Sequence, residues 1–129
     1  GIVVGVLVTF SVQSSSVTTS ILVPMFGAGV LSHRNGFPIM LGANIGATVT
    51  AFLAALALGP AGLAIATVHL LFNICGLIVF YPIQKIRDIP IVLAQGLAKR
   101  TIDNKLWIIF YIGGVFVALP LLGLLLFGN

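Results

Sequence analysis

The chain has 129 residues, and its composition is that of a protein embedded in a lipid bilayer. Hydrophobic residues make up 60% and charged residues 6%, with a formal net charge of +4. A soluble domain is typically ~25% charged, so this chain lacks the polar side chains that a water-facing surface needs. Six cations are too few for a nucleic-acid interface, and the single cysteine, Cys75, excludes an internal disulfide or a cysteine-based metal cluster. The composition predicts an all-α integral membrane protein.

The first apolar segment, residues 1–31, is predicted to form a re-entrant helical hairpin. A helix over residues 1–12 would be only ~18 Å long at 1.5 Å per residue, too short for a ~30 Å hydrocarbon core. The second arm, residues 17–31, is also short and contains Pro24. The polar run Q-S-S-S separates the arms, and non-helical backbone at that depth must be satisfied by protein or by a water-filled cavity. One long span over residues 1–31 is the alternative.

The next apolar segment, residues 37–58, is predicted to be a broken transmembrane helix. Gly42 and Gly46 bracket Asn44 near its centre, and glycine permits the backbone to leave helical angles. We expect two half-helices that meet at an unwound segment between these glycines.

The remainder predicts two full transmembrane helices, residues 63–81 and 106–127, the second kinked at Pro120. Between them, residues 82–105 form a basic loop that contains a short interfacial helix. Five of the six cations lie in this loop, and the sixth is Arg34. Because positively charged loops remain on the cytoplasmic side, we expect both basic loops to be cytoplasmic.

A dense cluster of neutral polar residues lies at the hairpin turn. Nine of the twelve residues from 9 to 20 carry a hydroxyl or a side-chain amide, and none is charged. Scattered Ser and Thr in membrane helices usually pack helices or bond their own backbone. These hydroxyls cover every direction around a helix and cannot all serve one packing face. We therefore expect a binding site centred on Gln13, Ser14, Ser15 and Ser16.

The chemistry of this cluster suits ions that are bound and then released. A helix that begins near Ser15 presents free N–H groups and the positive end of its dipole to an anion. The amide of Gln13 can both donate and accept. Carbonyls of the unwound segment, with Asn44 and Thr48, form the oxygen-rich setting expected for sodium. Discontinuous helices that present such groups at the bilayer midplane are typical of secondary transporters.

Other polar residues give weaker signals. His69 and Asn73 lie four residues apart on one helix face, where hydrogen bonding to a neighbouring helix is expected and a proton relay is the alternative. A membrane hydrolase with a Ser nucleophile would need His33 or His69 as its base. No acidic residue lies in a predicted span to orient that base, so we expect no enzymatic activity.

Motifs along nearly the whole chain resemble those of one transporter family. They are V-Q-S-S-S-V-x-T-S at residues 12–20, P-x-x-G-x-G-V at 24–30, P-I-M-L-G-A-N-I-G at 38–46, H-x-x-F-N at 69–73, Y-P at 81–82 and G-L-A-K-R-T at 96–101. The sequence resembles the type II sodium-phosphate cotransporters. The specific feature is Q-S-S-S followed about thirty residues later by G-x-N-I-G; S-S-S alone is not specific.

The resemblance implies sodium-driven phosphate uptake by alternating access around a midplane site, with sodium as coupling ion and no other cofactor. It implies that one side of the phosphate site is formed by Gln13, Ser14, Ser15 and Ser16. It further implies that Asn44 and Thr48 help to hold sodium or shape the site, with Gln13 as a further sodium-site residue. The family usually reads G-T-T after N-I, whereas this chain has Ala47 in place of the first Thr.

The resemblance also implies a missing partner. These proteins carry two inverted repeats, each with its own Q-S-S-S, and this chain resembles the second repeat alone. Either an upstream half lies outside this sequence, or two copies assemble in opposite orientations. Because all six cations fall on one predicted side, we favour a fragment that forms half of the transport unit and has the other repeat and the bilayer as partners. The rival function is a non-transporting membrane scaffold or assembly subunit whose Ser/Thr cluster packs helices.

Overall fold

The computed structural model describes residues 1–128 and consists of helices joined by short turns. The helices are α1 (Ile2–Val12), α2 (Ser15–Gly27), α3 (His33–Ala55), α4 (Gly59–Phe80), α5 (Gln84–Asp103), α6 (Leu106–Ile112) and α7 (Leu119–Phe127), with a π-helical segment, Gly113–Ala118, between the last two. Residues 1–128 contain no strand. The predicted all-α class is confirmed.

Three stretches are long and apolar enough to cross a membrane: α3, α4 and the continuous stretch Leu106–Phe127. By contrast, α1 and α2 are apolar but have only 11 and 13 residues, which corresponds to ~16–20 Å of helix. Two short arms followed by three spans are the order of elements that the sequence predicts. Their lengths and compositions identify a membrane protein.

The predicted break in the first span is wrong, because α3 is one continuous helix. No residue between Gly42 and Gly46 has a positive φ. The two glycines instead permit close approach to α1. A Cβ built on Gly42 would overlap the carbonyl oxygen of Ile2, and one built on Gly46 would lie 2.7 Å from that of Val6. G-x-x-x-G is the spacing that brings two membrane helices into backbone contact, so this motif is a packing surface.

Both ends of the hairpin formed by α1 and α2 lie beside the start of α3. Gly1 contacts Pro38, and the ring of Phe26, at the end of α2, covers Gly36. The chain therefore enters and leaves the hairpin at the same end of the spanning helix.

The hairpin follows α3 inwards from that end. Gly5 packs on the carbonyl of Ile39, and Thr9 packs on Gly46, so α1 and α3 run in the same direction. Gly46 is the fourteenth of the 23 residues of α3. The turn of the hairpin, four residues beyond Thr9, therefore lies deep along the span and away from the end where the hairpin begins.

An ion pair joins the start of α3 to α5. Arg34 Nη2 lies 2.8 Å from Asp88 Oδ2. Because α5 follows directly on α4, α3 begins and α4 ends at the same end of this unit. Basic residues of both polar segments meet there, as the charge pattern predicts.

The polar segment, residues 82–105, is more helical than predicted. A short helix over residues 89–98 is expected from the sequence, whereas α5 has 20 residues. Gln, Lys and Arg are strong helix formers, and Gln84, Lys85 and Arg87 before the apolar stretch and Lys99 and Arg100 after it extend the helix on both sides. Pro90 lies inside α5.

The chain divides into two compact units, residues 1–91 and 92–129. The first has a small core in which short side chains predominate; Ala43, Ala55 and Ala66 are buried, together with the larger Leu22 and Ile91. In the second, the span from α6 to α7 has no buried residue.

The π-helical segment of the second unit lies just before Pro120, where the sequence predicts a kink. The N–H of Leu119 bonds to the carbonyl of Gly114, five residues earlier. Proline lacks an N–H, and its ring clashes with the carbonyl four residues before it, so a wider turn accommodates it.

Candidate functional site

The turn of the hairpin, here called the tip (residues 13–16), begins with a strained residue. Gln13 ends α1 in the left-handed conformation (φ 54°, ψ 25°) and is the only non-glycine with a positive φ in the described part of the chain. This conformation costs an L-residue roughly 1–2 kcal/mol. Ser14 follows with an extended backbone (φ −152°) and caps α2. Two residues thus reverse the chain and start α2 immediately after α1 ends.

The start of α2 exposes backbone donors. The Ser14 hydroxyl accepts the N–H of Val17 at 3.4 Å. The first N–H groups of a helix have no partner within it, so those of Ser15 and Ser16 point outwards. No acidic residue lies in the first turn of α2. The positive end of the helix dipole is therefore uncompensated at the tip.

Most tip side chains are also free to bind. The hydrogen bonds of the tip within residues 1–128 use the Ser14 hydroxyl and the carbonyls of Ser14 and Ser15, but not the side chains of Gln13, Ser15 or Ser16. Ser15 is half-buried, whereas Gln13 and Ser16 are exposed. Polar groups in an apolar setting are costly unless they are hydrogen-bonded. A ligand rich in oxygen would supply the partners that these groups lack.

Hydroxyls further down the hairpin serve its packing. Thr9 Oγ1 and Thr18 Oγ1 lie 2.7 Å apart, and both residues are buried. Thr18 also donates to the Ser14 carbonyl at 3.3 Å. Sequence reasoning placed both threonines in the binding cluster and missed this pair. Their symmetry about the Gln13–Ser14 turn is the signal that identifies them, because a hairpin with that turn places residues 9 and 18 opposite each other.

The residues predicted to hold sodium do not converge in the first unit. Thr48 is 1% exposed, and its hydroxyl donates to the carbonyl of Ile45 at 2.9 Å. Asn44, one turn earlier, is exposed. At 3.6 residues per turn, Asn44 and Thr48 each lie about 160° around α3 from Gly46, which packs on α1. Gln13 at the tip and these two residues therefore face different surfaces.

The continuous α3 also removes the carbonyls that an unwound segment would offer to sodium. Backbone carbonyls inside a helix accept N–H groups four residues later. Three carbonyls of this segment accept a second bond. The Thr48 hydroxyl donates to that of Ile45 at 2.9 Å, and the Thr50 hydroxyl lies 2.8 Å from that of Ala47 and 3.4 Å from that of Gly46. A sodium site in this segment must therefore rely on side-chain oxygens.

The polar residues of α4 lie outside the tip. His69 is exposed and Asn73 half-buried. No hydrogen bond joins either side chain to another helix in the part of the chain that the structure describes, so the expected bond between helices is not found there.

Comparisons with known proteins cover almost the whole chain. A family model described as Na+/Pi-cotransporter matches residues 1–124. The chain is 44% identical over 122 residues to sodium-dependent phosphate transport protein 2A of Rattus norvegicus, which is 92% of this chain and 19% of the relative. It is 46% identical over 125 residues to sodium-dependent phosphate transport protein 2B of Bos taurus, which is 93% of this chain and 18% of the relative.

The chain spans about a fifth of the length of these curated relatives. A comparison with solved structures gives no match. The matched residues include the hairpin, its tip and the glycine-packed α3. The chain belongs to the Na+/Pi-cotransporter family.

Proposed function

We propose that this chain is half of a sodium-coupled phosphate symporter and that the tip holds one side of the phosphate. The relatives are named as sodium-dependent phosphate transport proteins, which supports phosphate and sodium as the transported ions. The observation that carries the proposal is the start of α2. There the backbone N–H groups and hydroxyls of Ser15 and Ser16 point out of a helix end that has no acidic neighbour.

The tip suits an ion that must be released again. Ser15 and Ser16 each offer an N–H and a hydroxyl to phosphate oxygens, and the NH₂ of Gln13 adds a third donor type. Ser14 caps the helix and orients its first turn. These donors are neutral, so they attract the anion through dipoles and hydrogen bonds without the permanent charge that would slow its release.

Sodium is proposed to bind side-chain oxygens of Gln13, Asn44 and Thr48. The oxygen of Gln13 lies at the tip. The other two lie one turn apart on a single face of α3, and the Thr48 hydroxyl keeps its lone pairs while donating to Ile45. Because these residues face different surfaces, the proposal requires oxygens from the other inverted repeat to complete the coordination.

The hairpin is proposed to be re-entrant. Its two ends lie beside Pro38 and Gly36, at the start of α3, and its helices are too short to span. Arg34 contacts Asp88 near the start of the basic α5 at that end, which supports a cytoplasmic location for it under the positive-inside rule. Alternating access would then move the glycine-packed hairpin and α3 together against the second repeat, exposing the tip to one side at a time.

Uptake measurements test this function. In the complete reading frame, the S15A/S16A double variant should raise the phosphate KM about tenfold or more, since hydrogen bonds to a charged group contribute ~1.5–3 kcal/mol. The matched control is S11A, because the Ser11 hydroxyl is exposed and donates to Leu7 of its own helix. Uptake by the parent protein should require sodium, and equal uptake in potassium would refute the coupling.

The rival function is a non-transporting scaffold whose hydroxyls pack helices. The buried bond between Thr9 and Thr18 favours that role for part of the cluster. The two functions differ at Ser15 and Ser16. A scaffold predicts that the S15A/S16A variant loses thermal stability, whereas the transport proposal predicts unchanged stability with impaired uptake.

A further inference from the structure

A groove lies at the opposite end of the hairpin from the tip, where α3 begins. Its volume is about 570 Å³, within the ~300–1,000 Å³ typical of small-molecule sites. One wall is apolar and includes Val4, Leu31 and Ile39. The polar lining residues are Arg34, Asn35, Tyr81 and Arg87. The groove thus combines an apolar wall with two guanidinium groups.

The two arginines differ in how they are paired. Arg34 is bound by one oxygen of Asp88, and its side chain is still 62% exposed. Arg87 has no ion pair within residues 1–128; its guanidinium carbon lies 5.8 Å from the centre of the Tyr81 ring. Asp88 does not line the groove and offsets only one of the two cations. A net positive charge therefore remains.

Arg87 also has an unused buried donor. Its Nε is shielded from solvent and has no hydrogen-bond partner in the described chain. Oδ1 of the neighbouring Asp88 is likewise buried without a partner in the described chain. Buried polar atoms are nearly always bonded, so the Arg87 N–H is available to an acceptor that the described chain does not supply. Arginine presents its donors in a planar fork that matches phosphate oxygens.

We propose that this groove binds a phosphate group through Arg34 and Arg87, supplied either by the head group of an anionic lipid or by inorganic phosphate. The apolar wall suits an acyl chain, and the end of a bundle of membrane helices is where basic pockets meet lipid head groups. Gly1 lines the groove and Gln13 lies at the tip, so α1 separates the two sites by about 18 Å at 1.5 Å per residue. The groove is distinct from the tip and does not depend on the transport proposal.

The test compares R87Q with K85Q in the complete protein purified in detergent. Both variants remove one cation from α5, but Lys85 does not line the groove. Native mass spectrometry would measure binding of dioleoylphosphatidylglycerol against dioleoylphosphatidylcholine. Equilibrium binding would count bound inorganic phosphate. We expect R87Q to bind the supplied phosphate group about tenfold more weakly, as the loss of charge-assisted hydrogen bonds implies, and K85Q to match the parent.

The two sources give different results. If R87Q, but not K85Q, retains phosphatidylglycerol more weakly than the parent does, the phosphate group comes from a lipid head group. If R87Q binds phosphatidylglycerol as the parent does but binds one fewer inorganic phosphate per molecule, the groove binds free phosphate. If R87Q, K85Q and the parent bind both probes equally, the proposal is overturned. Should R87Q fail to fold, R87K keeps the charge but not the fork, and it must bind one of the probes more weakly than the parent for the proposal to stand.

Discussion

The shaft of the hairpin, where Gly5, Thr9 and Thr18 pack, and its tip are built from similar small polar residues but differ in burial and bonding. In the shaft, Thr9 is 0% and Thr18 3% exposed, and their hydroxyls bond each other. At the tip, Gln13 has a strained backbone, and the hydroxyls of Ser15 and Ser16 have no hydrogen-bond partner within residues 1–128. Burial against α3 thus turns a hydroxyl into a structural group, while the hydroxyls of Ser15 and Ser16, three and two residues before Thr18, are left available for a ligand.

Adding a side chain at a glycine contact between the shaft and α3 is expected to give the largest loss of stability. G42A adds a Cβ that would overlap the backbone carbonyl of Ile2, and backbone cannot move aside as a flexible side chain does. Overpacking typically costs 1–3 kcal/mol, and we expect about 3 kcal/mol here, measured by reversible unfolding in mixed micelles.

The matched control for G42A is G76A. Gly76 also lies inside a spanning helix, but a Cβ built there meets nothing within 4 Å. The higher helix propensity of alanine predicts an unchanged or slightly more stable protein. Equal destabilisation by both variants would show that backbone contact between α1 and α3 does not hold the hairpin.

The buried threonine pair gives the next largest effect, and the two single variants should differ. T18V leaves the Thr9 hydroxyl buried with no partner in the described chain, at a cost of ~1–3 kcal/mol. T9V should cost less, because Thr18 keeps its bond to the Ser14 carbonyl. The double variant T9V/T18V removes both polar groups and should be more stable than T18V alone. Additive losses in this cycle would contradict a direct bond.

Much of the shaft and tip could be predicted from local sequence, because helix length and hydropathy are local properties. The short arms, the turn at Gln13–Ser14 and the three spans follow from counting apolar residues against the bilayer thickness. That Arg34 and the start of the basic segment lie at one end of the first unit follows from their positions along the chain, and the contact between Arg34 and Asp88 agrees with it.

The errors arise where a partner lies far away in sequence. Glycine permits both unwinding and close packing, so G-A-N-I-G alone does not decide between them. The contacts with Ile2 and Val6, about forty residues earlier in the chain, show that these glycines serve close packing. The partner of Arg34 is 54 residues away and leaves no local signal. The sodium prediction for Asn44 and Thr48 depended on the break at Gly42–Gly46, and it stays a prediction without the carbonyls of an unwound backbone.

Replacing Gln13 is expected to change stability least, and it separates most sharply the binding role of the tip from the structural role of the shaft. Q13G relieves a left-handed backbone that costs roughly 1–2 kcal/mol, and the greater freedom of glycine in the unfolded chain offsets roughly 0.5–1 kcal/mol of that gain. The variant should therefore be as stable as the parent, or more stable by up to about 1.5 kcal/mol. It also deletes the amide proposed to contact the transported ions, so phosphate uptake should fall sharply while the fold is retained.

Q13N keeps an amide on a shorter side chain and tolerates this backbone better than glutamine, so it should retain more uptake than Q13G. If Q13G instead unfolds the protein, the glutamine serves the shaft. If Q13G transports normally, neither the amide nor the strained backbone of residue 13 takes part in binding.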